Sequence, residues 1–255
     1  MNVILAITEN LQVTFKKGIS SCINSFTKSQ GHYQGEKKTY KAKPDQLDIP
    51  SERKDSPVVT TIDEKLEWFE NSHYEFINAI MSQEATNASG TVTADLIVDG
   101  VSWGNFSSLE LLRLKNILSN YDLYTMYKEL PTRSLDVNWK SSTNPEYDGR
   151  NIWETALVSN VKKTGDTKQI VLVAPTEHFP AVLGTEKVTI ELGDTTWQSF
   201  SGAWSHRERA SVLTRFDKLK LAVEEALKLA NQAESIDSEL TGKKLFGYLH
   251  YGVNQ

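Results

Sequence analysis

The side chains that come nearest to forming a reactive group stand in Pro175-Thr176-Glu177-His178-Phe179-Pro180-Ala181, a polar kink that leaves an apolar run. Glu177 and His178 can serve as an acid/base pair or contribute to a metal site, which would make the protein a hydrolase or transferase. Adjacent residues usually point apart, however, and a proline-rich turn needs no catalytic reason to exist. A structural role is therefore the expected one. A second polar pair, His206 and Arg207, falls in the first turn of the last helix, just after Phe200-Ser201-Gly202-Ala203. Backbone amides at a helix start favour an anion, and Arg207 can help hold it. Glu177, His178, His206 and Arg207 form the candidate polar site. No catalytic residue and no metal ligand is assigned, and His32, His73 and His250 are scattered.

Other chemistry is missing from the sequence. It has no GxxxxGK phosphate loop, GxGxxG turn, HExxH, CxxC or GxSxG elbow, so no cofactor is expected. Cys22 is the only cysteine; it can form neither an internal disulfide nor a cysteine-rich zinc site, and it reads as a small buried thiol. The doublets Lys16-Lys17, Lys37-Lys38, Lys162-Lys163 and Lys243-Lys244 read as solvated surface. Convergence of these doublets on one face beside aromatic rings would make an RNA-binding patch.

Composition frames these readings. The 255 residues carry 28 Lys and Arg against 33 Asp and Glu, a net charge of −5, so there is no global electrostatic footprint for nucleic acid or anionic lipid. Hydrophobic residues make up 39% and aromatic residues 9%, which is enough for a packed core. The apolar run from Val3 to Ile7 has no basic residue before it. It is too short for a signal-peptide core or a membrane span, and a cytoplasmic setting without membrane is expected.

The elements follow from periodicity. Ile4, Leu11, Phe15, Ile19, Ile23 and Phe26 line one face of a helix over 4–29, although Gly18 interrupts it. A β-prone piece, Lys37 to Lys43, precedes a polar connection near 44–57 that contains three prolines. A shorter helix is predicted over 62–83. In Thr91 to Val98 the period becomes two, and Asp99-Gly100 supplies turn chemistry. Ser107 and Glu110 have capping-box spacing for a helix over 107–130, in which Tyr121, Tyr124 and Tyr127 pack half-buried with wet hydroxyls.

From Trp139 to Gly202 the pattern is β. Strands are expected around Trp153–Val161, Gln169–Ala174, Lys187–Leu192 and Thr196–Ser201, with turns at Thr164-Gly165-Asp166 and Gly193-Asp194. The unbroken apolar run at 169–174 suits a central strand, and residues 141–150 are an exposed loop. Ser205 and Glu208 cap a last helix over 205–233 with a near-heptad stripe. The expected fold class is α+β: long amphipathic helices packed on a mostly antiparallel sheet, in a single 1–255 unit. Residues 91–99 and 152–201 supply most of that sheet. The closing segment 240–251 holds Leu245, Phe246, Tyr248, Leu249 and Tyr251, too apolar for a free tail, and it is expected to dock on this protomer or a neighbour.

Several pieces in this order resemble an uncharacterised family of bacterial and phage proteins of about this size. They are Gly35-Glu36-Lys37-Lys38-Thr39-Tyr40-Lys41, Ala94-Asp95-Leu96-Ile97-Val98-Asp99-Gly100, Thr176 to Ala181, Phe200-Ser201-Gly202-Ala203 and Gly242-Lys243-Lys244-Leu245-Phe246-Gly247-Tyr248-Leu249. The resemblance covers nearly the whole chain and implies one fold, with no assigned activity. Relatives place His before the Pro-Ala pair where this chain has Phe179, which counts against an enzyme. The leading expectation is a non-enzymatic protein that self-associates as a homo-oligomer or binds a protein partner. Its alternatives are a nucleic-acid binder built on the Lys doublets, and a hydrolase or transferase using Glu177 and His178.

Overall fold

Apolar residues spaced three and four apart give the first helix, α1 (Asn2–Lys28), a seam of Phe15, Ile19, Cys22 and Phe26, all buried. In this computed structural model, residues 2–88 and 92–231 are described, with side chains from Thr8 onward. Gly18, an apparent weakness of the helix, lies where a second helix comes close: a Cβ there would stand 2.3 Å from Nε2 of His73. That second helix, α2 (Ile62–Asn87), is longer than the expected 62–83 and nearly matches α1. Its Phe69, His73 and Phe76 meet Phe15 in a ring cluster, with Phe15 stacked on Phe76 at 4.7 Å. His73 is a core histidine: its Nδ1–H donates to the Phe69 carbonyl at 2.7 Å.

The chain divides into two compact units. One joins Met1–Ala79 to Ser119–Phe216; the other joins Ile80–Leu118 to the chain from Asp217 onward. The division falls inside α2 and α5, the last described helix (His206–Ala230), and near the end of α3 (Ser108–Asn120).

The first unit holds the main sheet. Its strands are β1 (Gln34–Ala42), β2 (Lys54–Ser56), β5 (Lys140–Ser141), β6 (Trp153–Glu154), β7 (Val158–Val173) and β8 (Val182–Ser201), numbered along the chain. Their order is β2-β1-β8-β6-β5, with β7 also on β8, and every ladder is antiparallel. The fold is α+β. Val58, Tyr147, Ile152 and Phe200 form a small core on this sheet, so the loop 141–150, expected outside, sends Tyr147 inward to accept the Val58 N–H at 3.2 Å. The polar connection 44–57 likewise contributes a strand, β2.

Two expected turns are absent. Gly165 lies within β7, which runs 16 residues without a break, and Gly193 lies within β8, which runs 20. At Gly193 the reason is steric: the buried Tyr40 ring crosses the strand there, 2.4 Å from where a Cβ would stand, and its hydroxyl donates to the Leu192 carbonyl. The four strands expected between 152 and 201 are therefore the two-residue β6 and one long hairpin, β7–β8.

The helix expected over 107–130 is also interrupted. It divides into α3 and α4 (Leu123–Lys128), because Asp122 takes a left-handed φ of 57°, a conformation that Asp tolerates better than most residues. Tyr121 is buried and accepts from Gln12 Nε2 at 2.9 Å, while Tyr124 and Tyr127 flank Phe216.

In the second unit, β3 (Thr93–Val98) pairs with β4 (Val101–Ser107) as a separate two-stranded sheet, so the strand expected within 91–99 does not join the main sheet over its described residues. Asp99 and Gly100 both have positive φ, as a type I′ hairpin turn requires. Lys218 pairs with Asp99 at 2.7 Å and Lys115 with Glu224 at 3.3 Å. The seam of α5 is buried at Val223, Ala226 and Ala230, so neither this face nor that of α1 is left free.

Candidate functional site

Glu177 and His178 lie in the turn that joins β7 to β8. The turn is closed by Thr176 and Phe179, whose backbones exchange hydrogen bonds at 2.9 and 3.3 Å. Residues 176–179 are all exposed, and neither Glu177 nor His178 has a side-chain partner among the described residues. His206 and Arg207 sit beyond the other end of β8, whose 20 residues amount to roughly 60 Å of extended chain at strand rise. The structure brings each pair together only with itself.

At the start of α5, two of the amides that would hold an anion, those of Ser205 and Glu208, are already engaged. Ser205 N–H and Oγ–H donate to the Glu208 carboxylate at 2.6 and 2.7 Å, and the Glu208 N–H donates back to Ser205 Oγ. Arg207 lines a shallow cleft with Asp63, Trp204 and Arg215, to which His206 does not contribute. Asp63 accepts from Trp204 Nε1 at 2.8 Å and from Asn151 Nδ2 at 2.6 Å.

Two buried charges carry no sequence signal. Arg133 donates through Nη1 to the Ala203 carbonyl at 2.6 Å and lies 4.2 Å over the Trp153 ring. Burial pulls its guanidinium below the ordinary value, while Glu208 and Asp63 push back. Glu154 is pushed up by burial, yet donors from Ser142, Thr143 and Lys140 outweigh this and hold its carboxyl below the usual range. Both have protein partners, and they fix the flanks of β6. Among the described residues no group of three His, Cys, Asp or Glu can hold a metal ion. No helix there is long and apolar enough to cross a membrane.

What stands out is the hairpin itself. β1 pairs with β8 only from Gly193 to Ser201; from Val182 to Glu191, β8 has β7 on one edge and no strand on the other among the described residues. This part is a two-stranded arm. Strand alternation puts Ile170, Val182, Val188 and Ile190 on one face together with Asp166, Lys168 and Glu186, and the bulged Leu172 covers Gly184 on that same face. The opposite face carries Thr167, Gln169, Thr185, Lys187 and Thr189, with Val171 and Leu183 near the tip. The run at 169–174 belongs to this arm and not to a central strand: Leu172 is 61% exposed, and Phe179 at the turn is 74% exposed.

The lysine doublets separate into two kinds. Lys38 and Lys162 converge on Glu52, whose carboxyl is held at about 2 by hydrogen bonds from Lys162 and Lys38. Lys37 pairs with Glu146 and Lys163 with Glu191. Lys16 and Lys17 make no ion pair among the described residues and line an open groove along α1. Lys243-Lys244 and the proposed docking residues Leu245, Phe246, Tyr248, Leu249 and Tyr251 lie outside the described residues.

A family model described only as a family of unknown function, DUF7873, matches residues 1–253. No curated protein and no solved structure matches the chain.

Proposed function

The chain belongs to the DUF7873 family, and from that premise we propose that it is a non-enzymatic assembly protein whose β7–β8 arm contacts a second copy of the same chain. The carrying observation is the apolar cluster near the tip of the arm, where Leu172, Val173 and Val182 are each more than half exposed beside Ile170. A two-stranded ribbon is marginal alone in water and gains independent stability from further strands or a packed face. An identical arm, laid against the same apolar cluster, supplies both in one step and follows the commonest oligomer symmetry, the two-fold. The family match runs through both units, which supports reading them as one functional protein. The segment 240–251 is a second contact on this reading, docked on the neighbouring subunit.

Light scattering on the full chain tests the proposal. Wild type is expected at a discrete multiple of the protomer mass. Leu172→Asp and Val182→Asp, which place charge in the apolar cluster, should give the protomer mass with an unchanged circular dichroism spectrum, while Thr185→Asp on the opposite face should leave the mass unaltered. Truncation of 240–255 should weaken the assembly without unfolding the protomer. A wild type that is monomeric at micromolar concentration sinks the reading.

A further inference from the structure

The groove along α1 is lined by Lys16, Lys17, Lys28, Lys65 and His32, together with Ser20, Ser21, Asn24, Ser25 and Ser29. No carboxylate and no apolar side chain lines it, in a chain where acids outnumber bases. The contrast with the other doublets is chemical. Lys37, Lys38, Lys162 and Lys163 each have a carboxylate partner, whereas the four groove lysines have none among the described residues. A surface that needed only solubility would have no reason to exclude acids from this face alone.

The residue types also match one ligand chemistry. Lysine ammonium groups neutralise phosphate, and serine hydroxyls and an asparagine amide donate to its oxygens. From Lys16 to Lys28 the groove follows thirteen residues of α1, about 18 Å at the α-helical rise, which is too long for one phosphate and suited to a chain of them. Beside it stands Trp68, 43% exposed, with Lys65 Nζ 3.8 Å from its ring centroid. A cation next to an accessible indole is the arrangement by which single strands are held, phosphate on the cation and base on the ring. An anionic membrane would call for several apolar anchors among the cations, and the groove lining adds none to the neighbouring Trp68.

We propose that this groove binds the phosphate backbone of single-stranded nucleic acid, with Lys16, Lys17, Lys28 and Lys65 on phosphates and Trp68 stacking a base. The site is independent of the arm and of assembly through it.

The test is fluorescence anisotropy of the full chain with a labelled oligouridine and with the matching duplex. Four phosphate contacts predict a slope of log Kobs against log salt of about −3 for a single strand, and each lysine removed should lower its magnitude by about 0.7. Lys16→Gln with Lys17→Gln should weaken binding about tenfold or more at low salt. The control, Lys41→Gln with Lys187→Gln, removes equal charge away from the groove and should change little. Trp68→Ala should cost about tenfold on the single strand alone. Circular dichroism establishes that each variant is folded. Equal losses from the groove and control pairs, or binding of phosphatidylserine vesicles without binding of RNA, would overturn the proposal.

Discussion

Glu64 illustrates how single residues set this fold. Its carboxylate accepts from Arg150 Nε at 2.6 Å and Nη2 at 2.9 Å, from the Thr61 N–H at 2.9 Å and from Thr60 Oγ1 at 3.1 Å. It thereby caps α2 and ties the loop at Arg150 to the helix start. The Arg150 hydrogen bonds, opposed by partial burial and helped by Thr61, hold the carboxyl below its ordinary 4.5. A carboxyl lowered on folding contributes fully above its unfolded pKa, and that contribution is lost as pH falls through the folded value. Glu64→Gln should therefore cost about 1 kcal/mol at pH 7, a modest figure because the group is partly exposed. The difference from wild type should shrink as pH falls below about 4.5. Urea titrations at neutral and acid pH measure it, and a gap that stays constant with pH would show that the charge contributes nothing. The Thr61-Ile62-Asp63-Glu64 spacing announces this box as plainly as Ser107/Glu110 and Ser205/Glu208 announce theirs. Arg150, by contrast, is brought to it from 86 positions away, which no local pattern reveals.

At the scale of elements, glycines mark close approaches as well as turns. Gly18 admits His73 against α1, so Gly18→Ala should overpack a buried ring and destabilise the protein by about 1–3 kcal/mol, read by urea denaturation. A neutral or stabilising result would mean that α1 and α2 lie further apart there. The same ambiguity explains what was and was not legible in the sequence. Helix faces were, because Phe15, Ile19, Phe26, Phe216 and Val223 repeat at helical period and are buried. The hairpin turn at Asp99-Gly100 was legible too, since both residues need positive φ. Gly165 and Gly193 carry the same letters as a turn but sit in extended ladders, one paired across to Thr189 and the other making room for Tyr40. What decides is the partner strand or ring, and that lies far away in the chain. The break at Asp122 was missed for a related reason, because Leu118, Tyr121, Tyr124 and Tyr127 keep three-residue spacing through it.

Over the whole molecule, the polar residues proposed from sequence do not gather into one site. The features that stand out, the carboxylate-free groove and the apolar arm, depend on which residues are missing from a surface, and periodicity records only which are present. A further consequence of the arm concerns handling and storage. Ile170-Val171-Leu172-Val173-Ala174 is uncharged, rich in branched side chains and exposed, which is the signature of a segment that stacks into cross-β fibrils. Pro175 ends it and Pro180 follows in the turn, and proline is the residue that most effectively stops such stacking from spreading along a chain. The arm thus carries its own brake. Pro175→Ala with Pro180→Ala should shorten the lag before thioflavin T fluorescence rises on quiescent incubation, and Leu172→Asp in the same background should restore it. Equal lag times for all three chains would locate any aggregation elsewhere.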